Sequence, residues 1–87
     1  MKVDIRNSSA KAAKKLPVVQ QHNIAEIIIQ MEVAKTIREI SNCKKMTGYK
    51  TAYRIKMEDY LFGLFYERGT IDLTTVMHRR DIYRYFP

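Results

Sequence analysis

The sequence predicts an all-α domain, a small bundle of three to four helices, and two observations carry that prediction. Tyr53, Met57, Tyr60, Leu61 and Leu64 recur at the spacing of one helical face within residues 51–68. Asn23 is followed three residues later by Glu26, a capping-box pattern, and neither proline nor glycine interrupts the chain from there to Gly48. Short strand character competes near 1–7 and near 70–76, where β-branched residues are dense.

Taken in order, residues 1–7 alternate charged and β-branched side chains (Lys2, Val3, Asp4, Ile5, Arg6) and read as an edge strand or a flexible arm, the arm being preferred. Ser8 or Ser9 can cap a short helix through Lys15, which Pro17 stops, so 1–16 is a basic N-terminal arm or short helix. Lys11, Lys14 and Lys15 share a side that suits phosphates or simply solvent. A long helix is expected over 23–45 with two apolar stripes. Ile24, Ile27, Ile28, Met31 and Ala34 would cover the aromatic core. Ile29, Val33, Ile37 and Ile40 would lie opposite and make a homodimer interface.

Residues 41–49 read as a helix end and a basic turn, with Gly48 available for positive φ. The aromatic helical core then spans 51–86. A strand is the alternative from Tyr49 to Met57, but the alternation collapses at Glu58 and Asp59, and helix is preferred. After Gly69 the chain is ambiguous. A helix from Asp72 would put Leu73, Val76, Met77 and Tyr83 on one face, with Tyr85, Phe86 and Pro87 left to dock their bulk.

A chain of 87 residues forms a single domain, 1–87, and buries only roughly 60% of its unfolded surface. Every aromatic lies at or beyond Tyr49, so the aromatic core is C-terminal. The net charge of +7 is blocky, because Lys44, Lys45, Lys50, Arg54 and Lys56 fall in a stretch without any acid. Such a block presents a basic face to a polyanion or serves solubility. Cys43 is alone, which excludes an internal disulfide and a cysteine-based zinc site. No run is long enough for a membrane span and no secretory signal is visible, so a cytoplasmic location is expected, or a nuclear or nucleoid one for a nucleic-acid binder.

An enzyme is hard to assemble from these residues. His22 and His78 are far apart in sequence, Cys43 has no evident base, and the glycines are isolated, which excludes a phosphate-cradling loop. Adjacent Glu58 and Asp59 would diverge by about 100° on a helix and make no acid–base pair. No cofactor and no metal are expected. The strongest hint is the set Lys44, Lys45, Lys50, Arg54, Lys56, Arg79, Arg80 and Arg84, with Tyr49, Tyr53 and His78 interleaved, which suits phosphate contacts plus stacking. Over roughly 57–85 a glycine-containing break between two helices loosely resembles a helix-turn-helix, and it points to no particular family. The leading reading is therefore a small, non-catalytic nucleic-acid-binding protein, such as a DNA-binding regulator. The alternative is an adaptor or inhibitor that binds an acidic protein surface through tyrosine and arginine. A membrane-surface protein is a fainter third reading.

Overall fold

Tight turns organise the C-terminal half of the chain. The computed structural model describes residues 1–85, with side chains through Ile82. Where one helix was expected over 51–68, two antiparallel strands, β3 (Ala52–Met57) and β4 (Tyr60–Glu67), meet at a turn of Glu58 and Asp59. The helical spacing has a simple origin. Tyr53, Ile55 and Met57 alternate along β3, two turn residues intervene, and alternation resumes at Tyr60, Phe62 and Leu64. All six pack into one core, whereas Leu61 belongs to the opposite face of the sheet. The collapse of alternation at Glu58 and Asp59 was the hairpin turn itself, and Glu58 has φ 55°.

The next turn joins β4 to β5 (Thr70–His78) through Arg68 at φ 51° and Gly69 at φ 76°. Two successive positive φ values match the twist of the flanking strands. The helix expected from Asp72 is thus a strand, and a bulge explains the misleading spacing. Gly63 pairs with Thr75 while Leu64 pairs with Leu73, which leaves Thr74 as an extra residue. Leu73 and Val76 consequently face the same core despite being three apart, and Met77 faces the other side.

The strands form one five-stranded sheet of order β1-β5-β4-β3-β2, in which β1 (Lys2–Ile5) runs parallel to β5 and β2 (Cys43–Lys45) is the far edge. Residues 2–5 are therefore paired sheet and no free arm. Helices α1 (Asn7–Lys14) and α2 (Val18–Val33) cover one face, burying Ile24 and Met31 with Ile55, Phe62, Leu64 and Ile71. A short α3 (Arg79–Tyr85) covers part of the other face through Ile82, which is packed with Ala52 and Leu61. The molecule is thus mixed α/β, two N-terminal helices on a five-stranded sheet, and no helical bundle.

The helix expected over 23–45 begins earlier and ends sooner. Pro17, with φ −53°, precedes Val18, and Asn23 lies inside α2, where its amide donates to Gln20 Oε1 at 3.4 Å. The capping box that operates is Thr36 to Glu39, at a single 3-10 turn (Ile37–Glu39). The Glu39 carboxylate accepts the backbone N–H groups of Lys35 (2.8 Å) and Thr36 (2.9 Å), which turns the chain out of the helix. The expected dimer stripe is dismantled by that turn. Ile29 and Val33 are 60% and 74% exposed on α2, Ile37 is half-buried in the 3-10 turn, and Ile40 is in the core at 4%. Among the described residues no helix is long and apolar enough to cross a membrane.

Candidate functional site

The sheet face away from α1 and α2 is only partly covered by α3, and the rest carries Lys44, Arg54 and Lys56 of the basic block. Along β3, Ile55 and Met57 point into the core, so the pleat turns Arg54 and Lys56 to the opposite face. Lys44 on β2 is directly paired with Arg54, and Lys56 with Leu61 on β4. On its other side Arg54 lies opposite Gly63, so β4 sets no side chain beside it. Arg79 and Arg80 enter from the start of α3. Together with Asn42 at the rim and Leu61, these groups line an open cavity of about 580 Å3.

The backbone of both arginines is held in place. Arg79 N–H donates to Asp59 O in the β3–β4 turn at 2.8 Å, and Arg80 N–H donates to His78 Nδ1 at 3.3 Å. The His78 ring stands edge-on to Tyr60 with centroids 5.6 Å apart. The turn is itself tied to α2, because buried Gln20 donates its amide to Glu58 Oε2 at 3.0 Å. The arginine end of the cavity is thus referenced to a helix on the other side of the sheet.

Its electrostatics are one-sided. Among the described residues, five cationic side chains and no carboxylate, imidazole or thiol line the cavity. Lys44 and Arg54 place two positive charges directly across a strand pair, an arrangement that attracts a polyanion. Arginine and lysine together suit phosphate, through planar forks and point charges respectively. The chemistry available is therefore to grip a phosphodiester and to neutralise charge that develops on it.

Of the basic residues singled out from the sequence, Lys44, Arg54, Lys56, Arg79 and Arg80 are brought into this one cavity. Lys45 and Lys50 stand apart, on the β2–β3 hairpin. The side chain of Arg84 lies outside the described residues, as do those of Tyr83 and Tyr85, and so do Phe86 and Pro87. Sequence reasoning missed the supporting residues. Asn42 has φ 57° and accepts Lys56 N–H at 3.2 Å, a backbone role that asparagine at a left-handed position often signals. Nothing local announces Leu61 or Gln20 in their roles, whereas His78 was singled out beside the arginines and here accepts the Arg80 N–H. Cys43 is half-buried against the main core, and burial pushes its thiol up to about 11. No group of three metal-ligating side chains occurs among the described residues.

No family model matches the chain. A curated toxin, RelE3 of Methanocaldococcus jannaschii, is 32% identical over 88 residues, and the match spans 100% of both chains. Among solved structures, a chain of the RelB–RelE antitoxin–toxin complex from Methanococcus jannaschii superposes with a TM-score of 0.83 at 30% identity, covering 97% of this chain and 99% of that one. The RelE–RelB complex of Pyrococcus horikoshii OT3 gives a TM-score of 0.69 over 90% of this chain and 93% of that one, and at 22% identity it speaks for the fold alone.

Proposed function

The chain belongs to the RelE toxin family, and from that premise we propose that it is a ribosome-dependent mRNA endoribonuclease bound by a RelB-type antitoxin protein. RelE toxins are ribosome-dependent mRNA-cleaving ribonucleases. That overturns the expectation of a non-catalytic protein, and with it the DNA-binding regulator. The adaptor or inhibitor reading comes nearer in one respect, since the M. jannaschii relative is seen as an antitoxin–toxin complex. In this reading the chain acts on cytoplasmic ribosomes.

The observation that carries the proposal is the cavity lined, among the described residues, by five cations. RNA brings its own nucleophile, the 2′-hydroxyl next to each phosphate, so the protein needs none. Attack of that oxygen on phosphorus, with its proton lost to water, breaks the bond to the 5′-oxygen, which takes a proton back from water, leaving a cyclic phosphate and a 5′-hydroxyl. Negative charge builds on the phosphoryl oxygens and on the departing oxygen. Lys44, Arg54, Lys56, Arg79 and Arg80 surround the space where that charge would develop, and preorganised cations stabilise it.

The test is cleavage of mRNA on purified ribosomes, mapped by primer extension. The parent protein should cut on ribosomes and leave free mRNA intact, and Arg79→Ala should lower the single-turnover rate by about 100-fold. A folded parent protein that leaves ribosome-bound mRNA uncut overturns the proposal.

A further inference from the structure

Lys44 and Lys45 are neighbours in β2, and the strand pleat sends them to opposite faces. Lys44 enters the basic cavity, while Lys45 borders a second, open hollow of about 430 Å3 at the hairpin tip, shared with Met46, Gly48, Tyr49 and Lys50. The tip is braced. Met46 N–H donates to Ala52 O at 2.9 Å, Tyr49 N–H donates to Met46 O at 3.2 Å, and Gly48 supplies φ 86° between them. Met46 is also packed with Ala52, Leu61 and Ile82, the small core that seats α3. The hairpin tip and the arginine end of the cavity therefore share one foundation.

Tyr49 is 47% exposed on this braced frame and lies between two lysines that are themselves exposed. A tyrosine outside the core, in a hollow shared with two lysines, matches the composition of a single-strand nucleic-acid platform, in which a base stacks on the ring and flanking phosphates meet the charges. β2 is the edge of the sheet, so nothing in the sheet walls off the tip from the cavity. Lys44 and Lys45 point to opposite faces of this edge strand, so a single strand of RNA passes from one to the other round the free edge of β2.

We propose that the β2–β3 hairpin tip is a second, single-stranded RNA subsite, in which Tyr49 stacks on a base beside the cleaved segment while Lys45 and Lys50 hold its flanking phosphates. The proposal rests on the ribonuclease reading only for the identity of the polyanion. Tyr49 and the two lysines act in docking, and the cavity acts on the scissile phosphate.

The experiment measures fluorescence anisotropy of a labelled single-stranded oligoribonucleotide of about 10 nucleotides at two salt concentrations. The proteins are the parent, Tyr49→Ala, Tyr49→Phe and Lys45→Ala/Lys50→Ala, each checked for folding by circular dichroism and assayed in parallel on programmed ribosomes. Tyr49→Ala should weaken binding at least about fivefold at both salts, and Tyr49→Phe should retain parental affinity. The double lysine variant should flatten the salt slope by about 1.4, at about 0.7 per phosphate contact on a single strand. Parental affinity in Tyr49→Ala, an equal loss in Tyr49→Phe, or no oligonucleotide binding by the parent overturns the subsite. Ribosomal cleavage by the parent together with oligonucleotide affinity indifferent to Tyr49 removes the subsite and leaves the ribonuclease. Affinity that depends on Tyr49 without cleavage does the reverse.

Discussion

At the scale of single residues, Cys43 shows how place decides chemistry. It stands next to Lys44, whose side chain lines the cavity, yet the pleat turns Cys43 towards the main core, where burial raises its thiol from 9.0 to about 11. A thiol so raised stays protonated at neutral pH and is a poor nucleophile. The direction also fixes a stability effect. A group whose folded pKa lies above its unfolded value stabilises the fold fully below the unfolded value and loses that contribution as pH climbs through the folded one. The contribution of Cys43 is therefore complete below pH 9.0 and fades towards about 11. Urea denaturation of the parent and of Cys43→Ala should show the parent losing the more stability between pH about 8 and about 10.5, and identical pH slopes would contradict the assignment. Cleavage activity should be unaffected by the substitution, because the thiol is absent from the cavity lining.

At the scale of elements, the turns hold local conformations that the side chains do not favour. Arg68 and Glu58 both sit at positive φ. Glu58 is compensated by the hydrogen bond from Gln20, so replacing it confounds two effects. Arg68 is exposed and precedes Gly69 in a turn for which Asn-Gly is the preferred pair. Arg68→Asn should raise stability by about 0.5–1 kcal/mol, or about 2–8 °C in Tm by calorimetry, and a lower Tm would refute the reading of this turn. The same elements explain what was hidden. The alternation from Tyr49 to Met57 was visible in the sequence, but two-residue turns and the Thr74 bulge shift the phase of a period of two, and the shifted pattern imitates a helical one. The Thr36 to Glu39 capping box was equally visible and was passed over for Asn23 and Glu26, whose spacing happens to occur inside a helix.

At the scale of the whole molecule, one core between the helices and the sheet must carry the stability of a short chain, and Phe62 is among its largest fully buried side chains. Truncation by Phe62→Ala should cost about 3–5 kcal/mol, a large part of the roughly 5–15 kcal/mol available to a domain. Urea titration followed by circular dichroism should find the variant largely unfolded or its midpoint sharply lowered, and a loss below about 1 kcal/mol would mean that the core relaxes around the gap. By itself the sequence determined the acid-free basic block of Lys44, Lys45, Lys50, Arg54 and Lys56 and the lone cysteine, because composition and charge are properties of the chain whatever its fold. Tertiary structure alone decided that Lys44, Arg54 and Lys56 share one face, that Lys45 leaves it, and that Arg79 and Arg80 come back to meet them. Those outcomes depend on strand pairing across long stretches of chain, as between Val3 and Ile71, and on a pleat whose phase is set by turns and a bulge. Such pairings are hydrogen bonds between distant backbones, which no local window of side chains specifies.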